Sequence, residues 1–151
     1  MAAARDEPVQ RPVWLVAVAA WAVPGLGHAM VGQAWRGIAI AAAVVSLFVG
    51  GLLIGGVRVV DLPGYADGRP TGTLASRPVA NVLARPWFIA QALGGPIAFV
   101  AGAGNVVAAR AGYPKPTAQL GDIGKLYCAV AGMMNLVALM DAASRAGGRE
   151  A

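Results

Sequence analysis

An all-α integral membrane protein with about four transmembrane helices is what this sequence predicts, and three observations predict it. Hydrophobic residues are 58% of the 151 positions and charged residues 13%, where a soluble domain has about 45–50% and about 25%. Mean hydropathy is +0.63. The charges fall outside a few long apolar runs, and glycine and proline punctuate those runs. The same composition excludes other classes. A disordered chain needs low hydrophobicity and high charge. A disulfide scaffold needs many cysteines, and Cys128 stands alone. A nucleic-acid binder needs clustered Lys and Arg, and here the twelve are scattered singly.

Residues 1–12 form a polar leader of mixed charge, with Arg5, Asp6, Glu7 and Arg11. A signal peptide cut after Ala20-Trp21-Ala22 is the rival reading, but the near-neutral leader favours retention. The first span is 13–31, whose only titratable residue is His28. At 1.5 Å per residue it reaches roughly 28 Å, just enough to cross. Pro24-Gly25-Leu26-Gly27 interrupts it, so the helix proper ends or kinks near Val23.

The second span, 38–57, holds no charge and closes at Arg58. Gly51 and Gly55 make a small-xxx-small pair, extended backwards by Ser46 and Ala42, that lets a neighbouring helix approach. The loop 58–86 is the longest polar stretch. Its first half is irregular, and its second half, through Val79, Asn81, Val82 and Leu83, is mildly amphipathic and fits a short interfacial helix. The third span is 87–109. Ala90, Gly94, Ala98 and Gly102 recur at every fourth residue, and Gly95-Pro96 bends the run. The fourth span is 123–143, with Lys125 and Asp141 near its ends and Asn135 deep inside. A polar tail, 144–151, completes the chain. The spans pair weakly two by two, with no matching motif in the second pair.

With four crossings, the leader, the long loop and the tail share one side. They hold Arg5, Arg11, Arg58, Arg69, Arg77, Arg85, Arg145 and Arg149, eight cations against four on the other side. Cytoplasmic loops collect Lys and Arg, so both termini are expected in the cytoplasm, with the chain in the cell inner membrane.

The most distinctive stretch runs from Pro24 through Gly25, Gly27, His28, Gly32 and Arg36 to Gly37. Here the chain resembles the small bacterial two-transmembrane domain family, whose helices are joined by a Pro-Gly-Leu-Gly turn. Gly-Leu-Gly-His early, with Ala131-Gly-Met-Met-Asn135-Leu and Asp141-Ala142 late, is similar to an uncharacterised family of bacterial four-span membrane proteins. That resemblance implies a fold and no activity.

Pro24, Gly25, Gly27, His28, Gly32 and Gly37 are therefore expected to build a structural turn. His28 is either a tie across that turn or a ligand or proton group. Amides at the start of the second helix, near Gly37, suit a phosphate headgroup. Asn135 needs a partner, and Asn105 and Gln91 are the candidates, as interhelical glue or along a polar solute path. Cys128 reads as a packing residue beside Gly132.

No residue set points to catalysis, a metal or a cofactor. One histidine and one distant cysteine build no zinc or haem site, and no serine sits in a nucleophile-elbow sequence. The leading reading is a small helical scaffold or accessory subunit that packs on itself or on a larger membrane complex, with lipid as its other partner and no nucleic acid. An oligomeric carrier or channel for a small solute is second. An enzyme using His28 and Asp141 on a lipid is last.

Overall fold

The computed structural model describes residues 12–71 and 78–148. Most of the leader, 1–11, and residues 149–151 of the tail lie outside them, as do Ser76 and Arg77 of the amphipathic stretch. The described residues are mostly helical. α1 is Val13–Ala22, α2 is Leu26–Met30 and α3 is Ala34–Gly55. Next are a 3-10 turn, Val57–Val59, and a hairpin of β1 (Tyr65–Ala66) and β2 (Arg69–Pro70). Then come α4 (Pro78–Leu83), α5 (Pro86–Ala92), α6 (Pro96–Arg110) and α7 (Ala118–Gly147).

Two helices, α3 and α7, are long and apolar enough to cross a membrane. No proline interrupts either, and at 1.5 Å per residue they extend roughly 33 and 45 Å. They run antiparallel. A Cβ on Gly51 would meet the Gly124 carbonyl at 2.8 Å, and one on Gly55 would meet the Leu120 carbonyl at 2.9 Å. The small-xxx-small pair thus packs on Gly124 and Cys128 of α7. The boundaries differ from the expected 38–57 and 123–143. α3 starts earlier, at Ala34, and stops at Gly56, whose φ is 73°. α7 extends past both expected ends, from Ala118, two residues after Pro116, to Gly147.

The run 87–109 is two helices, and the bend expected at Gly95-Pro96 is a full break. α5 stops at Ala92, and α6 restarts at Pro96 after Gly95, whose φ is 90°. Proline suits a first helical position because its missing N–H has no partner to lose there. The chain reverses at this break. Arg85, before α5, donates to the Tyr65 carbonyl at 3.1 Å, and Arg110, closing α6, donates to the Gly68 carbonyl at 2.9 Å. Both ends of the pair therefore reach the same two-strand hairpin. Phe88 and Phe99 hold the arms together edge to face, 5.7 Å between centroids.

The run 13–31 is likewise divided into two helices that fold back on one another. α1 ends at Ala22, as Pro24 requires. Gly25, at φ 82°, turns the chain into α2. Val13 lies by Gly147, and Val31 joins Val16, Ala142 and Ala146 in one cluster, so both arms sit against the C-terminal part of α7.

The order broken hairpin, then long helix, thus occurs twice, with the hairpins entering from opposite ends of the α3–α7 pair. One end carries Val13 and Gly147, and the other the 3-10 turn and the β-hairpin. A core of Val44, Phe48, Val59, Val60, Phe88, Ala98, Ala101, Cys128 and Ala131 fills the loop half. Outward, both long helices stay apolar: Leu53 of α3 is 81% and Val137 of α7 65% exposed.

Candidate functional site

The expected structural turn is built largely by backbone contact. Gly25 and Gly37 lie so close that a Cβ on either would strike the other's carbonyl oxygen. Gly25 and Gly32 both have φ of 82°. Gly27 is needed for space: its Cβ would fall 2.7 Å from the Cβ of Ala20 and 3.0 Å from that of Ala142.

His28, 1% exposed, points from this turn to α7. Its Nε2 lies 2.9 Å from Asp141 Oδ2, so that nitrogen carries the proton and donates it to the carboxylate. Arg145 Nε donates to the same oxygen at 3.0 Å. His28 Nδ1 is buried with no partner among the described residues. In an acyl-transfer site that atom's place would face a nucleophile. The structure brings together His28 and Asp141, which the sequence offered only under its last-ranked reading, and gives them the geometry of a tie between turn and helix.

At mid-height the two hairpin tips meet. Trp21 Nε1 donates to the Ala92 carbonyl at 3.1 Å, and Gly95 packs on the Trp21 carbonyl. Asn135, 0% exposed, donates Nδ2 to the Leu93 carbonyl at 2.9 Å. It binds neither Asn105 nor Gln91, the partners expected for it. Those two reach the loop instead: Asn105 Nδ2 donates to Val60 O at 2.8 Å and Gln91 Nε2 to Val59 O at 3.4 Å. A chain break frees carbonyls, and each of these amides caps one.

The small-residue stripe is divided by the break. Ala90 and Gly94 lie against Gly132 of α7, Gly102 lies against Leu62 and Val60, and Ala98 is in the core. Cys128 contacts Gly51 and lies 3.5 Å from the Phe48 carbonyl, so its packing partner is α3 rather than Gly132.

The polar loop end holds groups to which the sequence alone assigns no role. Arg58, with its side chain 12% exposed, donates to Asn105 Oδ1 at 3.3 Å, to the Tyr113 carbonyl, and to Asp67 at 3.3 Å. One guanidinium thereby joins the 3-10 turn, α6, the 111–117 connection and the β-hairpin. Lys115 Nζ lies 2.7 Å from Asp67. That hydrogen bond and charge, helped by Arg58, hold the Asp67 carboxyl below its ordinary value. Asp61, Arg58, Asn105 and Lys115 border a cavity of about 160 Å³. A sequence signal for the hairpin existed in Asp67-Gly68, whose positive φ values of 46° and 78° suit a two-residue turn.

The chain belongs to the family of unknown function DUF6677. The match covers residues 15–150, which takes in both hairpins and both long helices. No curated protein and no solved structure matches it. The family assignment adds no chemistry to the His28 tie or to the loop-end cavity.

Proposed function

We propose that this DUF6677 chain is a bilayer-embedded packing scaffold, an accessory subunit that assembles with itself or with a larger complex of the inner membrane. α3 and α7 cross, and the hairpins α1–α2 and α5–α6 each enter from one face and return to it. The observation that carries the reading is the use of the interior polar side chains. Trp21, Gln91, Asn105 and Asn135 each donate to a main-chain carbonyl. In hydrocarbon such carbonyls must find partners within the protein. The N–H donors that a solute path would use are therefore committed to holding the broken helices.

The apolar side chains on the outer faces of α3 and α7 suit lipid or another helix. Only 22% and 33% of their most apolar stretches are buried, where a core helix of a soluble protein is mostly covered.

Two crossings also change the charge count. By connectivity the terminal end has Arg5, Arg11, Arg36, Arg145 and Arg149, five cations, and the loop end has the other seven. The expectation of cytoplasmic termini rested on four crossings. With two, the same rule places the loop end in the cytoplasm and both termini outside.

A carrier or channel is the second reading, favoured by the opposed half-helices, an arrangement transporters use at mid-membrane. Crosslinking in native membranes, then purification in mild detergent, tests the two. The scaffold reading expects a defined complex of the chain with itself or with one larger membrane protein. Passage of a small solute in proteoliposomes by the chain or its homo-oligomer, with flux lost on Asn135→Leu while assembly is unchanged, overturns it.

A further inference from the structure

Between α5 and the first turns of α7 lies a cleft of about 150 Å³, with Arg85, Lys125, Asp61 and Gln91 on its walls. A water occupies about 30 Å³ in the liquid, so the cleft has room for several non-hydrogen atoms. Its charges are held apart rather than paired. Arg85 donates to the Tyr65 carbonyl and has no ion pair among the described residues. Lys125 has only a loose contact, 3.9 Å, with the exposed Asp122. Asp61 likewise has no ion pair among the described residues, and accepts one long bond, 3.4 Å, from Asn105.

The fourth group is an amide. Gln91 is 1% exposed, its Nε2 is used on Val59 O, and its Oε1 is buried with no partner among the described residues. An orphaned acceptor of this kind is costly unless a donor reaches it. The cleft thus offers two cations for an anion, and a carboxylate and an amide oxygen for an N–H donor. Trp87, 53% exposed, stands at the same cleft, with Phe88 and Val59 as its apolar wall. Tryptophan favours the headgroup level of a bilayer.

We propose that this cleft binds a phosphate ester that carries a primary ammonium, the phosphoethanolamine group. The phosphate sits between Arg85 and Lys125, and the ammonium donates to Asp61 and Gln91 Oε1. Two sources supply this chemistry, the headgroup of phosphatidylethanolamine and the free ester O-phosphoethanolamine. Only the lipid source rests on the chain's being embedded in a bilayer, and neither source depends on its acting as a scaffold.

The test uses the full chain, delipidated in detergent, with retained ligand counted by native mass spectrometry. The probes are phosphatidylethanolamine, phosphatidylcholine and O-phosphoethanolamine. The expected result is one bound phosphatidylethanolamine, retained at least fivefold over phosphatidylcholine, whose quaternary nitrogen has no N–H. Asp61→Asn should bring that ratio close to one while both lipids still bind. Arg85→Gln with Lys125→Gln should weaken both lipids together, by tenfold or more. Binding of the free ester alone, lost in the same variants, assigns the site to that source. Equal retention of the two lipids by the native chain, or an unchanged ratio in Asp61→Asn, overturns the proposal. So does failure of both the lipid and the free ester to bind. Helical content by circular dichroism, unchanged in each variant, separates lost binding from lost fold.

Discussion

Trp21 Nε1 donates to the carbonyl of Ala92 at 3.1 Å, and this one bond joins the tips of two hairpins that enter from opposite ends of the molecule. Trp21→Phe keeps most of the ring and removes the donor. A loss of about 0.6–2 kcal/mol is expected, the range for polar contacts between membrane helices. Gly95→Ala should cost more. Its Cβ would enter the Trp21 carbonyl, and a φ of 90° disfavours any side chain. Denaturation in mixed micelles measures both. Equal and negligible losses would mean that the tips do not touch.

The tie between His28 and Asp141 makes a graded prediction. His28→Gln retains a hydrogen-bond donor and should lose about 1 kcal/mol or less. His28→Leu removes the donor and should lose about 1–2 kcal/mol, a charged hydrogen bond discounted for the part-exposed carboxylate. In a double-mutant cycle with Asp141→Asn the two losses should fall short of adding, because they remove one interaction. Normal assembly of His28→Gln with complete loss of cellular function would make His28 a chemical group rather than a tie.

Much of the helical framework was legible in the residues, and the direction of the hairpins was not. Pro24 and the pair Gly95-Pro96 announced both breaks, because a proline ring cannot continue a hydrogen-bonded ladder. Whether the chain kinks or reverses at a break depends on distant contacts. Arg85 and Arg110 reach one β-hairpin, and nothing in the 87–109 run encodes that. Asn135 shows the same limit. Its need for a partner was readable, whereas its partner is the Leu93 carbonyl, which exists as a free acceptor only because α5 ends there. The loop-end groups were illegible for a related reason. Arg58 and Asp61 are more than forty residues from Asn105 and Lys115, and the two pairs meet only once the hairpin folds back.

Close backbone approach to α7 predicts which glycines tolerate a side chain. A Cβ on Gly132 would strike the Ala90 carbonyl, and a Cβ on Gly51 would lie 2.7 Å from Cys128 Sγ and 2.8 Å from the Gly124 carbonyl. Gly132→Val and Gly51→Val should each lose about 1–3 kcal/mol or more, since rigid backbone leaves little room to relax. Gly50 meets nothing within 4 Å. Gly50→Ala should be neutral or slightly stabilising, because alanine favours helix. Thermal melting in detergent ranks the three. Gly132→Val melting with the native chain would remove the α5–α7 contact.

Acid should release the β-hairpin. The Lys115 hydrogen bond and charge, and then Arg58, hold the Asp67 carboxyl below the ordinary carboxylate value in the folded chain. A carboxylate so depressed contributes its stability in full above the unfolded value, and loses it as pH falls through the folded one. Exchange of the Thr71 amide, which donates to Gly64 O at 2.9 Å, should therefore quicken below about pH 4, beyond the intrinsic pH trend. Asp67→Asn should show the fast behaviour already at neutral pH. A variant as protected as the native chain at neutral pH would leave Asp67 without a role in docking the hairpin.

Topology separates four crossings from two crossings with two hairpins. Three exposed positions decide between them: Ala34, Ala118 and Ser144. With four crossings, residues 34 and 118 share one side and 144 lies on the other. With hairpins at 13–31 and 86–110, residues 34 and 144 share a side and 118 is opposite. Cysteine introduced singly as Ala34→Cys, Ala118→Cys or Ser144→Cys, with buried Cys128 as a silent background, can be probed in intact cells with an impermeant thiol reagent. The charges, five at the terminal end and seven at the loop end, favour a cytoplasmic loop end. Labelling is thus expected at 34 and 144 and not at 118 until the cells are opened. Labelling at 118 alone would keep both hairpins and reverse the orientation. Labelling that groups 34 with 118 would restore four crossings and remove the re-entrant hairpins from the fold in the membrane.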